Sequence, residues 1–166
     1  MKKPISIPVI VSGGQTGVDR AALNWAIGHR IPHDGWCPQG RMAEDGTISL
    51  AYSLKETPTS DDAERTEWNV RDSDGTVIFS LTTRLSGGSK YTMERARLQL
   101  KPVLHLSAQS KQRHAAALRR FVVEQGIKRL NVAGPRESEE TRVAEFVRRV
   151  LEEAFYPDDS YSSAPR

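Results

Sequence analysis

The sequence predicts an α/β protein. The expected form is a Rossmann-like three-layer sandwich, with a mostly parallel sheet of five or slightly more strands between two helix layers. Three observations carry this. Short apolar runs alternate with amphipathic stretches along the chain, the pattern of repeated strand–helix units. The first run, Val9-Ile10-Val11, passes through Ser12-Gly13-Gly14-Gln15-Thr16-Gly17 straight into the helix-like Ala21-Ala22-Leu23-Asn24-Trp25-Ala26-Ile27. A second glycine turn, Leu85-Ser86-Gly87-Gly88-Ser89, follows another strand pattern, Thr76 to Leu81.

At 166 residues the chain has the length of one domain with one core. We place that domain at residues 1–155 and read residues 156–166, rich in Pro, Ser and Asp, as a loose tail. A formal charge of +3 with no basic block gives no reason to expect nucleic acid. One cysteine, Cys37, excludes an internal disulfide and a cysteine-based zinc cluster. Met1-Lys2-Lys3-Pro4 precedes an apolar run broken by Ser6 and Pro8, which reads as a first strand rather than a secretory signal. No segment approaches membrane-spanning length. The expected setting is the cytoplasm, without a membrane partner.

Taken in order, Ile5 to Ser12 is apolar on both faces, as a central parallel strand requires. Val18 to His29 is a helix whose buried stripe is Ala22, Leu23, Ala26 and Ile27. A short second strand starts at Ile31 and reaches Gly35-Trp36-Cys37-Pro38. Residues 39–58 are irregular, with a turn at Ala43-Glu44-Asp45-Gly46; the stretch is a candidate lid or a surface excursion with a little helix at Leu50 to Leu54. Asp61, with Glu64 three residues on, has capping-box spacing and opens a polar helix to Asp72. Thr76 to Leu81 is a buried strand, and a helix from about Tyr91 to Leu100 follows the second glycine turn. Pro102 to Leu106 is the next strand, Lys111 to Gln125 the next helix, and Gly126 its C-terminal stop. Arg129 to Ala133 is the last strand. After Gly134-Pro135-Arg136-Glu137-Ser138, the last helix runs from Glu139 to Phe155, buried through Val143, Phe146, Val147, Val150 and Leu151.

With the strands numbered one to five, the expected order in the sheet is 2-1-3-4-5, reversing between the first strand and Thr76–Leu81. A ligand cleft belongs at such a reversal, outside the carboxyl ends of the strands. Both glycine turns leave from there. Glycines let an oxyanion approach the backbone, and a helix N-terminus supplies free N–H groups and partial positive charge. The backbone of Gly13, Gly14, Thr16 and Gly17 and of Gly87, Gly88 and Ser89 is therefore the expected phosphate holder, with Gln15 inside the first turn. The Thr16 and Thr92 hydroxyls, Arg65 and Arg136 would add charge-assisted bonds. Asp19 would cap its helix or hold a Mg²⁺ accompanying phosphate. Trp36, beside Gly35, is the candidate to stack on a ring. Trp25 and Trp68 suit a core, Cys37 suits packing, and the four histidines lack metal-ligand spacing. No acid–base pair stands out, so no catalytic residue is assigned and the metal question stays open. Two variants follow: Gly14→Val should abolish binding with the fold largely intact, and Arg65→Lys should weaken binding with little change in stability.

Four stretches together resemble one family: Gly13-Gly14-Gln15-Thr16-Gly17-Val18-Asp19-Arg20-Ala21-Ala22-Leu23, Gly35-Trp36-Cys37-Pro38, Arg65-Thr66-Glu67-Trp68-Asn69-Val70-Arg71-Asp72-Ser73-Asp74-Gly75-Thr76, and Asn131-Val132-Ala133-Gly134-Pro135-Arg136. They are similar to the "putative molybdenum carrier" family, of the Rossmann-like SLOG superfamily, from the first strand to the last helix. The resemblance implies a carrier of the molybdenum cofactor or of a nucleotide-like phosphorylated ligand, assembled as a homo-oligomer. The same superfamily contains LOG-type phosphoribohydrolases, and a nucleotide-processing hydrolase or a nucleotide sensor are the alternatives. Arg65 resembles the arginine of the hydrolase motif. The second turn departs from that motif, because the position of its catalytic glutamate falls at Arg95, with Glu94 beside it out of register; a hydrolase would need Glu94 or Glu67 aimed into the cleft.

Overall fold

The computed structural model describes residues 4–157. The elements run β1 (Val9–Val11), α1 (Val18–Gly28), β2 (His33–Asp34), β3 (Trp36–Cys37), β4 (Met42–Ala43), β5 (Gly46–Thr47), β6 (Lys55–Glu56), α2 (Asp62–Arg71), β7 (Gly75–Ser80), α3 (Gly87–Leu98), β8 (Val103–Ser107), α4 (His114–Glu124), β9 (Arg129–Ala133) and α5 (Val143–Phe155). Of the expected tail, residues 158–166 lie outside the described part, as do residues 1–3. Tyr156, where the expected tail begins, stacks its ring on His29 at 4.3 Å.

Five strands form the central sheet in the order β2-β1-β9-β7-β8, and every pairing is parallel. This corrects the expected order. The last strand does not lie at the edge; it sits between β1 and β7, pairing Leu130 with Ile10 on one side and with Gly75 on the other. Burial explains the exchange. Leu130, Asn131 and Val132 are covered on both faces, whereas Val103, Leu104 and His105 of β8 are half-buried, as an edge strand allows. Asp74 fixes the placement: its Oδ2 accepts the N–H groups of Lys128 and Arg129, both at 2.9 Å, where β9 enters beside β7.

Helices α1, α4 and α5 cover one face and α2 and α3 the other, the three layers expected. The main core lies under the first group, where Ile10, Val77, Phe79, Leu106 and Leu130 meet Val18, Leu118, Val147 and Leu151. Ile78 alternates to the opposite face and is fully buried there, as are Val70 and Ala96. Among the described residues no helix is long and apolar enough to cross a membrane.

Residues 39–58 are more ordered than their sequence suggests. β4 and β5 make a small hairpin, β3 pairs with β6, and the expected helix at Leu50 to Leu54 is absent. Ile48 and Leu54 close a second small core with Leu23 and Cys37. Arg41 holds the segment together by donating to the carbonyls of Ile48, Ser49, Tyr52 and Leu54. At α2, Asp61 caps the helix through Ala63 N–H at 2.9 Å, while Glu64 reaches past the cap to Thr59 N–H at 3.1 Å. The helix α3 begins at Gly87, so its two glycines form the first helical turn instead of a preceding loop.

Candidate functional site

Because β9 is central, the connection that follows it lies directly beside the first glycine turn. Gly17 shows how closely: at φ +76° it has room for hydrogen only, since a Cβ there would stand 2.5 Å from the Pro135 carbonyl oxygen. Pro135 O in turn accepts Val18 N–H at 3.3 Å. At the carboxyl ends of β1, β9 and β7 this packing leaves a narrow polar cavity of about 60 Å³, room for about two water molecules or one tetrahedral oxyanion.

Five segments build the cavity. The first turn and α1 contribute Gly13, Gln15 and Asp19; α2 contributes Arg65 and Asn69; α3 contributes Gly88, Ser89 and Thr92. Asn131 lines it from β9, and Arg136 and Glu139 from the connection beyond. The α3 N-terminus has no side-chain cap, and Gly88 and Ser89 of its first turn line the cavity. Ser89 is 5% exposed and its Oγ has no hydrogen-bond partner. The Arg65 Nε is likewise buried and unpartnered. Arg65 Nη1 donates to Gly13 O at 3.2 Å and stands 3.6 Å from Asp19 Oδ2, while Nη2 lies 3.5 Å from Asp62. Buried hydroxyls and guanidinium nitrogens normally find partners, so two unpartnered donors on residues lining one cavity make it a candidate anion site.

Asp19 sits against the first turn. Its Oδ2 accepts Gln15 N–H at 3.2 Å, and burial holds its carboxyl above the ordinary carboxylate range against the pull of Arg65. Part of that turn is thus occupied by the protein's own carboxylate, and α3 offers the freer donors. Arg136 reaches the cavity while pairing with Glu139 at 3.0 Å. Thr92 also lines it, although its hydroxyl donates to Gly88 O at 2.8 Å.

Five expected residues, Gly14, Thr16, Gly17, Trp36 and Gly87, do not line this cavity. Thr16 turns to the other side, where its hydroxyl bonds Glu44 and accepts Glu137 N–H at 3.1 Å. Gly14, at φ +81°, presses on the small core; a Cβ there would stand 2.7 Å from Leu54 Cδ1, so Gly14→Val disturbs packing and is no clean test of binding. Trp36 is held by its Nε1–H to Asp72 at 2.7 Å and by an edge contact with Trp68 at 4.7 Å. Gly87 stands at the exposed mouth of α3.

Asn69, Asn131 and Glu139 were missed. Asn131 carried a signal, a polar residue inside an otherwise apolar strand. Of the hydrolase candidates, Glu94 is exposed, and Glu67 accepts from Tyr91 OH and Arg95; neither lines the cavity. Among the described residues no cluster of three or more His, Cys, Asp or Glu could hold a metal ion.

Two other hollows adjoin. One of about 250 Å³, bordered by Thr82, Arg84 and Ser86, shares Ser89, Pro135 and Glu139 with the polar cavity. A much larger open groove, about 1670 Å³, runs between α1 and α5 and meets the first turn at Thr16 and Gly17. Its walls come mainly from these two helices.

An all-parallel sheet with an uncapped helix N-terminus and orphaned donors at its carboxyl edge defines a Rossmann-like protein with a candidate oxyanion site. The family model described as "Circularly permutated YpsA SLOG family" matches residues 10–155, and the chain belongs to that family. A solved structure described as "Putative molybdenum carrier protein", from Syntrophus aciditrophicus SB, is 43% identical, with a TM-score of 0.87, over 93% of this chain and 98% of that one. Among curated proteins none matches.

Proposed function

We propose that the protein is a carrier for a small phosphorylated ligand of the molybdenum-cofactor or nucleotide type, working in the cytoplasm as a homo-oligomer. The observation that carries this is the pair of buried, unpartnered donors, Ser89 Oγ and Arg65 Nε, on a cavity of single-oxyanion size at the α3 N-terminus. The printed name of the similar structure supports the carrier role. A phosphate end fits the residues present. The Gly88 and Ser89 amides and the Ser89 hydroxyl would donate to it, with Arg65 and Arg136 balancing its charge. The body of the ligand would extend past Ser89 and Glu139 into the adjoining 250 Å³ hollow. A carrier needs no acid–base pair, and the two glutamates a hydrolase would use are turned to solvent or to Tyr91 and Arg95. The groove between α1 and α5 is the surface on which copies would meet.

Native mass spectrometry of protein purified under mild conditions tests the proposal, together with calorimetric titration of inorganic phosphate. A retained phosphorylated small molecule and phosphate affinity weakened about 10- to 100-fold in Ser89→Ala are expected. No retained molecule, with no measurable phosphate binding, would refute it.

A further inference from the structure

The oxyanion cavity contains an acid. Asp19 is 8% exposed, lines the same space as Ser89 and Arg65, and its Oδ2 would stand 3.0 Å from a Cβ placed on Gly13. Its partner is not fully committed to it, because Arg65 Nη1 gives its hydrogen bond to Gly13 O and stands 3.6 Å from the carboxylate. The charges facing Asp19 can be taken element by element. From α2 comes Arg65, with Asp62 behind it. From the connection after β9 come Arg136 and its partner Glu139. From α3 come the uncharged Ser89 and Thr92. Arg20, next on α1, is directed to Gly14 O and Asp45. Two cations therefore face two carboxylates across the cavity.

Such a site is a poor host for a bare dianion. The α3 amides favour negative charge, yet Asp19 would stand against an oxygen it can only repel. A proton between them reverses this. A carboxylate accepts a hydrogen bond from P–OH, and a carboxylic acid donates one to P–O⁻. Either arrangement holds the same single proton. Burial, which already disfavours ionised Asp19, acts in the same direction.

Resting on the oxyanion site proposed above, we propose that Asp19 is its specificity-determining residue: the cavity takes a tetrahedral oxyanion together with one proton shared with Asp19. It thereby selects hydrogen phosphate over sulfate and molybdate. At neutral pH inorganic phosphate still carries a P–OH, lost only in strong alkali, and so brings the proton itself, whereas a phosphomonoester, with a second pKa of about 6, brings it only as its monoanion. Sulfate and molybdate are dianions at neutral pH, so the proton must come from solvent, and their affinity falls about tenfold per pH unit above the pKa of free Asp19.

The test is calorimetric titration of the full chain with inorganic phosphate, sulfate and molybdate between pH 6 and 8, in buffers of different ionisation enthalpy. Phosphate should bind about tenfold or more tighter than sulfate or molybdate at pH 7. The gap should widen as pH rises, and sulfate binding should take up about one proton. In Asp19→Asn, whose amide can donate without a proton from solvent, the preference should fall to about threefold or less, and the proton uptake on sulfate binding should vanish. Should that variant fail to fold, the pH dependence of the unaltered protein decides alone. Equal, pH-independent affinities for the three anions would overturn the role of Asp19 and leave the oxyanion site standing, as would undiminished selectivity in a folded Asp19→Asn. Failure of all three anions to bind would overturn the site and this inference together.

Discussion

Ser89→Ala should strengthen the ligand-free protein and weaken its binding, two effects of opposite sign from one oxygen atom. Ser89 Oγ is buried without a protein partner. An unsatisfied buried hydroxyl costs about 1–3 kcal/mol, of which solvent entering the cavity recovers a part. Alanine also has the higher helix propensity, by a few tenths of a kcal/mol. The ligand-free variant should therefore gain about 1 kcal/mol, or about 2–4 °C in Tm for a chain of this length. With phosphate bound, the same hydroxyl is a donor to a charged acceptor, an interaction worth about 1.5–3 kcal/mol, so its removal should raise the phosphate Kd about 10- to 100-fold. Thermal unfolding with and without saturating phosphate, alongside calorimetry, reads both numbers. The expected signature is a raised baseline Tm with a smaller ligand-induced shift. A lowered baseline with unchanged phosphate affinity would refute the reasoning, since the hydroxyl would then be serving the fold.

Arg65→Lys should cost about 1–3 kcal/mol in urea unfolding, contrary to the small change expected from sequence. The guanidinium is buried between Gly13 O, Asp19 and Asp62, and lysine cannot span the three. Gly17→Ala should lower the urea midpoint by the equivalent of at least about 1 kcal/mol, because Cβ would meet Pro135 O at φ +76°; an unchanged midpoint would show that the connection can retreat. Glu44 is held below the ordinary carboxylate range by hydrogen bonds from Ser138 and Thr16. Its contribution is present above its unfolded pKa and is lost as pH falls through the folded one. Stability measured downward from about pH 5 should thus fall less steeply in Glu44→Gln than in the unaltered protein.

The sequence was most legible where burial leaves a local pattern. The all-apolar Val77-Ile78-Phe79 and the period of α5 identify their elements directly. Strand order was not legible, because β8 and β9 both read as short apolar strands and nothing local names a strand's neighbours; Asp74, which pins β9 beside β7, acts across 54 positions. Gly87 and Gly88 read as a loop because glycine disfavours helix interiors, yet they open α3. Residues 39–58 read as irregular because strands of two residues are too short to show a period. Arg65 could be singled out by the polarity of its helix, whereas Trp36, chosen for standing beside a glycine, is held by Asp72 far along the chain.

The central position of β9 also governs when the molecule can come into being. As the chain leaves the ribosome, β1 with β2 and β7 with β8 emerge as two separate pairs, each with an open edge toward a gap. That gap is filled only by residues 129–133, so the sheet becomes continuous late, through pairings between segments far apart in the chain. Asn131 and Arg136 arrive with that strand, so the oxyanion cavity is completed in the same step that closes the sheet. A nascent chain therefore completes this cavity last.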